Sequence, residues 1–374
     1  MIILAAFLTR IVFNFMKRGI PFLIFSFILS TGWCQSIKTP SATKHMQAHF
    51  GIAIHGGAGN LVKLKLTPAQ EKEYTLKLTE ALQTGYAILE KGGSSIDAVE
   101  AAVKILEDSP LFNAGKGSVF TNDGKNEMDA AIMDGGTLKA GAVAEVRTIK
   151  NPISAARKVM ENSDFVFLSS RGAEAFAKKE GLEIVDTSYF FEQYRWDQMI
   201  RVRDSSKGNK DTANTGSTHP FERPEDKFGT VGAVALDKSG HLSAATSTGG
   251  IVNKKYNRIG DSPLIGCGTY ANDRTCAVSC TGHGEDFIRL VAAKDVSDMM
   301  EYKGWSLSRA MLEVIKVKLP KINGRGGAIA IDRSGNISMP FTTSGMYRGY
   351  MSNGKCVVMI YEDPPVPIKP AGHK

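Results

Sequence analysis

The chain has 374 residues, of which 43% are apolar, enough to bury one large hydrophobic core or two modest ones. A net charge of +8 would suit a nucleic-acid-binding protein, but five of these positive charges lie within residues 1–48, which contain no Asp or Glu. The remaining chain mixes both signs and has no Lys/Arg run or basic stripe with aromatic residues. Composition therefore predicts a globular protein and argues against nucleic acid as its partner.

The N-terminus has the pattern of an export signal. Lys17 and Arg18 form a basic start, residues 19–33 are apolar, and small residues precede a cleavage zone near Cys34. Met16 begins this pattern better than the first residue does, so it is a candidate for the true start.

We expect residues 1–34 to be a signal peptide and residues 35–48 a polar leader, so that the mature protein is exported, either periplasmic or secreted. One alternative is a lipid-attached Cys34, which the bulky Trp33 before it disfavours. The other is an uncleaved N-terminal segment that anchors the protein to a membrane, which would be its only membrane contact.

In chain order, the first half mixes predicted strands and helices around one core. An apolar strand runs into the glycine-rich turn HGGAG, and the next helix has Thr67 as its N-cap, Pro68 in its first turn and a Gly92-Gly93 stop. Further helices are predicted over residues 94–108 and 151–162, the second of them capped, and paired strands over 128–135 and 140–146.

The second half begins after a polar stretch at residues 203–228, which we expect to be a structureless linker or functional loop. Two stretches of similar design, 232–248 and 327–343, predict hairpins in packed sheets. Between them, residues 284–302 and 306–320 predict amphipathic helices. Sheets with helices outside them indicate a layered α/β domain.

The pair Gly229-Thr230 opens a predicted strand directly after this linker. A threonine hydroxyl is a poor nucleophile until a base takes its proton. If the bond between the two residues is cut, Thr230 gains an α-amine with a reference pKa of about 7.7–8.0, so one residue supplies both nucleophile and base. Glycine tolerates the strained backbone that such a cut requires. An isolated Gly-Thr pair would be an ordinary strand element, so the interpretation depends on neighbouring motifs.

Those motifs follow closely. Thr248 stands in ATSTGG, Arg258 and Asp261 in NRIGDSP, and Thr281 in SCTGHGE. Each is weak alone, because an Arg and an Asp three residues apart usually form a surface ion pair. Together with Thr230 they indicate an active site.

With HGGAG, PLFNAGKGSVFT, MDAAIMDGGTLKAGAVA and GTVGAVALD, these motifs resemble the plant-type L-asparaginases, also called isoaspartyl peptidases. This family of N-terminal nucleophile hydrolases implies an α+β fold, a four-layer αββα sandwich. The resemblance runs from about residue 50 to about residue 350 and fails only in the linker.

The resemblance also implies a precursor that cleaves itself between Gly229 and Thr230. The α subunit would comprise residues 49–229, including the linker at 203–228, and the β subunit residues 230–374. One catalytic domain is then formed by both subunits, and two αβ units are expected to form a dimer.

Carried over by motif, the resemblance makes Thr230 the nucleophile and Thr248 the residue that hydrogen-bonds its reactive end. Arg258 would hold the substrate α-carboxylate, because its planar guanidinium offers two parallel donors. Asp261 would hold the substrate α-ammonium, and Asn113 would support the amine of the nucleophile.

Two neighbouring residues would stabilise the tetrahedral intermediate. The Thr281 hydroxyl and the Gly282 backbone N–H would face the oxygen that becomes negative. Gly284 matches a further backbone position that contacts the substrate.

No cofactor is expected for catalysis, but the family implies a structural sodium ion held mostly by backbone carbonyls, a donor set that suits a hard cation. The corresponding carbonyls here belong to Leu106, Glu107, Ser109, Phe112, Ala114 and Lys116.

The expected substrates are L-asparagine and isoaspartyl dipeptides, since both present a free α-carboxylate and α-ammonium beside a side-chain amide, and both release L-aspartate. One alternative is a glycosylasparaginase, although that family usually has Asp before the nucleophile and Ile-Gly after it, whereas Phe228-Gly229 and Val231-Gly232 flank Thr230 here. The other is a secreted, non-catalytic protein of the same fold.

Cysteine usage leaves the redox state open. Residues Cys267, Cys276, Cys280 and Cys356 remain after signal removal, without zinc spacing. Export would permit a bridge such as Cys267 to Cys276, but small buried thiols are the simpler expectation.

Overall fold

The computed structural model describes residues 49–61, 65–208 and 229–361. The predicted signal peptide, the polar leader, linker residues 209–228 and the last residues of the predicted β subunit lie outside this part. Every helix within the described ranges is too short or too polar to span a membrane.

The helices are α1 (Pro68–Glu90), α2 (Ser95–Glu107), α3 (Pro152–Asn162), α4 (Ser170–Lys179), α5 (Gln193–Gly208), α6 (Gly284–Leu290), α7 (Ala292–Lys303), α8 (Leu307–Leu312) and α9 (Leu319–Lys321), with a π-helical segment, Glu313–Lys318, joining the last two. The strands are β1 (Gly51–Gly59), β2 (Met128–Asp134), β3 (Ala140–Val146), β4 (Phe167–Ser169), β5 (Val231–Leu236), β6 (Leu242–Thr248), β7 (Thr269–Ala271), β8 (Cys276–Gly282), β9 (Gly326–Asp332), β10 (Ile337–Ser338), β11 (Gly345–Ser352) and β12 (Lys355–Tyr361).

Two sheets form the centre of the fold. The larger has eight strands in the order β12-β11-β1-β5-β6-β2-β3-β4, and the smaller has four in the order β10-β9-β8-β7. Helices α1, α2 and α3 pack on the outer face of the larger sheet, while α7, α8 and the π-helical segment pack on the smaller one. Since the inner faces of both sheets contact each other, the described residues form the predicted αββα sandwich.

Strand β5 shows how sequence alternation builds these layers. Val231 and Ala233 belong to the core beneath α1 and α2, whereas Val234 and Leu236 belong to the core between the sheets. Successive side chains of a strand point to opposite faces. Thr230, at the start of this strand, therefore shares the parity of the residues that face the smaller sheet.

Several predicted elements are confirmed with altered ends. The α1 cap is a full capping box, in which Thr67 accepts a hydrogen bond from the Gln70 N–H and the Gln70 side chain accepts one from the Thr67 N–H. The first hairpin is β5–β6, but the second pairs fewer residues, because β10 spans only Ile337–Ser338.

Three expectations differ from the structure. Helix α5 continues to Gly208, so the first six residues of the predicted linker are helical. The predicted helix 284–302 is broken at Val291, whose φ of +48° separates α6 from α7. The Asn151 side chain does not cap α3, because the carboxylate of Glu107 accepts the Ile153 N–H instead.

The four described cysteines are free thiols. Cys267 precedes β7 beside Cys280, whereas Cys276 lies at the opposite end of β8, so a Cys267 to Cys276 bridge does not fit this strand pair. Burial raises the pKa of the Cys276 thiol to about 12, which makes it an inert packing group.

Candidate active site

The Thr230 side chain lies between the two sheets and is only 7% exposed. Pairing of Val231 with Ser247 brings Thr230 opposite Thr248, and the Thr230 hydroxyl donates to Thr248 Oγ1 at 3.0 Å. The Gly250 N–H donates to the same Thr248 oxygen at 3.0 Å. The predicted contact between the two threonines is therefore present, and the turn after β6 orients it.

Asn113 fixes the backbone on the other side of the threonine. Its N–H donates to the Gly229 carbonyl oxygen at 3.0 Å. Its side chain donates to the Gly250 carbonyl at 2.7 Å and accepts from the Val119 N–H at 2.9 Å. In this uncut chain the asparagine thus contacts Gly229 through its backbone, and its side chain holds the surrounding turns.

The fit around Gly229 explains the need for glycine. A Cβ atom at this position would lie 2.5 Å from Cβ of Asn113. Any larger residue would move the carbonyl away from the Asn113 N–H.

Thr281 and Gly282 end strand β8 of the smaller sheet. Thr281 is fully buried near the end of β8, and its Oγ1 accepts a hydrogen bond from the Ala58 N–H at 3.3 Å. Gly282 lines one pocket together with Thr230 and Thr248. Gly282 therefore lies in the pocket of Thr230, whereas Thr281 precedes it on β8 outside the pocket lining, and the oxyanion role of both residues stays a prediction.

This pocket has a volume of only about 10 Å³ and also contains the predicted binding residues Arg258 and Asp261. Glycines surround the two charged side chains. A Cβ atom on Gly260 would lie 2.7 Å from Arg258 Nη1, and one on Gly284 would lie 2.8 Å from Arg258 Nη2 and 2.9 Å from Asp261 Oδ1. Gly284 therefore leaves room for the two groups that are expected to bind substrate.

The two charged residues of this pocket differ in their hydrogen bonding: Arg258 is paired with a carboxylate, whereas one carboxylate oxygen of Asp261 has no partner. Arg258 donates from Nε and Nη2 to the carboxylate of Glu285 at 2.9 and 2.8 Å. Burial works to raise the pKa of Glu285, but the bonds and charge of Arg258 outweigh it and lower that pKa to about 2. Asp261 is 4% exposed and its Oδ2 makes no hydrogen bond, so burial raises its pKa to about 7 although Arg258 opposes the shift.

The predicted sodium loop offers backbone carbonyl oxygens, the donor type that suits a hard cation, although those of Leu106 and Ala114 already accept from the N–H groups of Ser109 and Gly117. Carbonyl oxygens of Glu107, Pro110 and Phe112 turn inward against Gly115 and Gly117, where Cβ atoms would collide with them. The Glu107 carboxyl group points elsewhere, to Ser247 and the Ile153 N–H. Within the described ranges, no group of three or more His, Cys, Asp and Glu side chains is placed to hold a metal ion.

Sequence reasoning missed three contributors to the site. Glu285 pairs with Arg258, and His55 and Ser279 contact the nucleophile region between the sheets. The sequence specifies no acidic partner for His283, yet this residue lies 3.1 Å from Glu285 and 3.3 Å from Asp286. The motifs HGGAG and SCTGHGE contain all three contributors and His283, though not Asp286, but nothing in a motif shows which side chains meet.

A layered αββα sandwich with a threonine at the head of a central strand defines the class of N-terminal nucleophile hydrolases. The asparaginase family matches residues 48–360, and the chain belongs to this family. It is 49% identical to the isoaspartyl peptidase of Escherichia coli over 80% of this chain and 92% of that protein. It is also 49% identical to a putative isoaspartyl peptidase/L-asparaginase of Dictyostelium discoideum, with 80% and 92% covered, and 40% identical to the isoaspartyl peptidase/L-asparaginase of Rattus norvegicus, with 85% and 90% covered.

Proposed function

We propose that the protein is a self-cleaving threonine hydrolase that removes β-linked aspartyl residues from isoaspartyl dipeptides and converts L-asparagine to L-aspartate and ammonia. The observation that carries this proposal is the convergence of Thr230, Thr248, Arg258 and Asp261 on one pocket. Relatives named for this activity, aligned over most of the chain, support the same substrate class.

Self-cleavage begins with attack of Thr230 Oγ on the Gly229 carbonyl carbon. The Asn113 N–H already contacts the carbonyl oxygen, so it is placed to stabilise the negative charge that develops there. The amide bond breaks as the Thr230 nitrogen takes up a proton, and an ester joins Gly229 to Thr230 Oγ. Water then hydrolyses this ester, leaving a carboxylate on Gly229 and a free amine on Thr230.

Cleavage also opens the pocket, because Gly229 is part of its lining. A substrate can then place its α-carboxylate at Arg258, through Nη1, which Glu285 does not use. Its α-ammonium pairs with ionised Asp261. These two contacts fix the side-chain carbonyl near Thr230.

In the hydrolytic reaction the Thr230 amine takes the hydroxyl proton while Oγ attacks the substrate carbonyl. The Thr281 hydroxyl and the Gly282 N–H stabilise the resulting oxyanion. The amine then passes the proton to the leaving nitrogen, and ammonia or an amino acid departs. Water activated by the same amine releases L-aspartate from the acyl-enzyme.

Three further features belong to this proposal. The carbonyls of Leu106, Glu107, Ser109, Phe112, Ala114 and Lys116 would hold a sodium ion whose charge fixes the loop that carries Asn113.

Two αβ units form a heterotetramer, which light scattering of the purified protein would test. Residues 1–34 direct export, and N-terminal sequencing of the mature α subunit from the periplasm or medium tests their removal.

The decisive experiment compares the wild-type protein with Thr230→Ala and Thr230→Ser. The wild type should yield two polypeptides, the smaller starting at Thr230, while the alanine variant stays one chain and the serine variant cleaves slowly. Release of aspartate from asparagine, β-aspartyl-leucine and N-glycosyl-asparagine then ranks the substrates. Continuous wild-type polypeptide that still releases ammonia would refute the mechanism, and preference for the glycan would identify a glycosylasparaginase.

A further inference from the structure

A chain of hydrogen bonds runs through the interior from the carbonyl of the proposed nucleophile. His55 Nδ1 lies 3.0 Å from the Thr230 carbonyl oxygen, and His55 Nε2 lies 2.9 Å from Ser279 Oγ. Ser279 Oγ lies 2.7 Å from Thr246 Oγ1, which lies 2.7 Å from Thr269 Oγ1. Apart from Thr230, all of these side chains are completely buried.

This chain of hydrogen bonds joins the two sheets. His55 and Thr246 belong to β1 and β6 of the larger sheet, whereas Ser279 and Thr269 belong to β8 and β7 of the smaller one. Most of the surrounding inter-sheet core is apolar. Burying polar groups in an apolar core costs folding free energy unless each group is hydrogen-bonded. A buried series of polar groups therefore points to a specific role.

The chemistry of the groups fixes the direction of the hydrogen bonds from Ser279 through His55 to Thr230. A carbonyl oxygen only accepts, so His55 Nδ1 must carry the hydrogen that it donates to Thr230. A neutral imidazole then accepts at Nε2, which obliges Ser279 to donate to it. Thr246 then donates to Ser279 at 2.7 Å, since its other acceptor, the Gly268 carbonyl, is more distant at 3.4 Å. The Thr269 hydroxyl lies within hydrogen-bond distance of both Thr246 Oγ1, at 2.7 Å, and the Ser262 carbonyl, at 3.0 Å.

The protonation state of the histidine agrees with this direction. Burial lowers the pKa of His55 to about 3, although its bond to the Thr230 carbonyl opposes the shift. The imidazole is therefore neutral throughout the neutral pH range, with one donor and one acceptor, as the chain requires.

The chain reaches both halves of the proposed site. At one end it holds the carbonyl of Thr230, and in the middle it holds Ser279, two residues before Thr281 on the same strand. Gly232 gives it room, because a Cβ atom there would collide with Ser279 Oγ and lie 2.5 Å from His55 Nε2.

We infer that the hydroxyl chain Thr269–Thr246–Ser279–His55 is a positioning device that sets the spacing between the nucleophile on the larger sheet and the oxyanion donors on the smaller one. The inference rests on the proposed function, since it assigns roles to residues that serve Thr230 and Thr281. It adds residues that contact neither substrate nor reacting atoms, and they act through the backbone of Thr230 and the position of β8.

The test uses a matched pair of substitutions at Thr246. Thr246→Val keeps the shape and removes the hydroxyl, whereas Thr246→Ser keeps the hydroxyl and removes the methyl group. We expect Thr246→Val to lower kcat at least about tenfold with KM nearly unchanged, because a small displacement of reacting groups acts on the transition state while Arg258 and Asp261 still bind substrate. Thr246→Ser should keep kcat within about threefold of the wild type.

A packing role predicts the opposite order, with serine worse than valine, and that result would overturn the inference. Equal kcat values for wild type and Thr246→Val would overturn it as well. Melting temperatures of both variants are measured in parallel, so that a loss of folded protein is separated from a loss of kcat.

A second measurement reads the chain directly. In protein with ¹⁵N-labelled histidine, the His55 signals should show a protonated Nδ1 and an unprotonated Nε2, and they should not titrate between pH 5.5 and 8.5. The opposite tautomer would refute this direction of the hydrogen bonds. Failure of the proposed function itself looks different, since Thr230→Ala would then retain activity whatever the tautomer of His55.

Discussion

At the scale of single residues, the site depends on glycines that allow other groups to come close. Gly229 permits the Asn113 N–H to reach the Gly229 carbonyl, and Gly284 leaves space beside Arg258 and Asp261. In each case the neighbouring group occupies space that a Cβ atom would fill, and only glycine lacks this atom. Substitutions at these positions should therefore affect chemistry before they affect folding.

Gly229→Ala tests this relation in the precursor. The added Cβ would lie 2.5 Å from Cβ of Asn113 and displace the carbonyl from its donor. Loss of one such donor typically costs about a hundredfold in rate, so we expect self-cleavage to slow by that order. Gels over a time course measure it, with Gly172→Ala as the control, because no atom lies near a Cβ at that position. Cleavage at the wild-type rate in Gly229→Ala would contradict the prediction.

Asp261 should make the precursor less stable as pH rises. Its pKa in the folded state is about 7, well above the value of an unfolded aspartate, so the folded protein holds a proton that the unfolded chain has lost. Stability from this group is therefore full at low pH and falls as the pH rises through its folded pKa. Relative to Asp261→Asn, the wild type should lose about 2 kcal/mol between pH 5 and pH 7.

Urea titrations at several pH values check this prediction. The Thr230→Ala background keeps the chain uncut, so that unfolding involves one polypeptide. A constant difference between the two proteins across this pH range would show that Asp261 titrates normally.

At the scale of elements, strand β6 serves two layers at once. Its inward residues Thr246 and Thr248 form hydrogen bonds with Ser279 and with Thr230. Ser247 points in the opposite direction, to the helices, and donates to Glu107 at 2.6 Å. Glu107 ends α2 and accepts the first free N–H of α3. Burial raises the pKa of Glu107 to about 8, although its bonds to Ser247 and Ile153 oppose the shift.

This junction predicts unequal costs for two serines on the same face of β6. Ser247→Ala leaves the buried Glu107 with one partner fewer, so we expect a loss of about 1–3 kcal/mol in the free energy of unfolding. Ser243→Ala removes a bond to the hydroxyl of Ser95 and should cost less, about 0.5–1.5 kcal/mol. Urea unfolding of both variants in the Thr230→Ala background provides the comparison, and a larger cost for Ser243→Ala would refute it.

At the scale of the whole molecule, the region from β1 to β12 contains every described element of the sandwich and the proposed site. A variant that lacks residues 1–48 should therefore fold, cleave itself and hydrolyse substrate like the full-length protein. The fraction cleaved and the kcat of both forms measure this outcome. A truncated protein that stays uncut would show that the leader contributes to the site.

Some parts of the structure could be predicted from the sequence alone, and others could not. Helix α1 and the β5–β6 hairpin were predictable because capping residues, turn residues and apolar spacing act locally. The break at Val291 was not, since a β-branched residue with positive φ is imposed by tertiary packing. Likewise, Thr230, Thr248, Arg258 and Asp261 meet in one pocket as predicted. The links from His55 to Ser279 and from Arg258 to Glu285, however, join residues whose contact no local pattern encodes.

The order of strands in the larger sheet has a consequence for how the protein could refold after the proposed cleavage. Strands that precede and follow Thr230 are interleaved, with β1 lying between β11 and β5, and β2 beside β6. The two polypeptides that the proposed cut after Gly229 would produce therefore share one hydrogen-bonded sheet, and they could not separate without breaking it. A molecule denatured after the proposed cleavage would have to refold from two separate polypeptides, so this cleavage would make unfolding difficult to reverse.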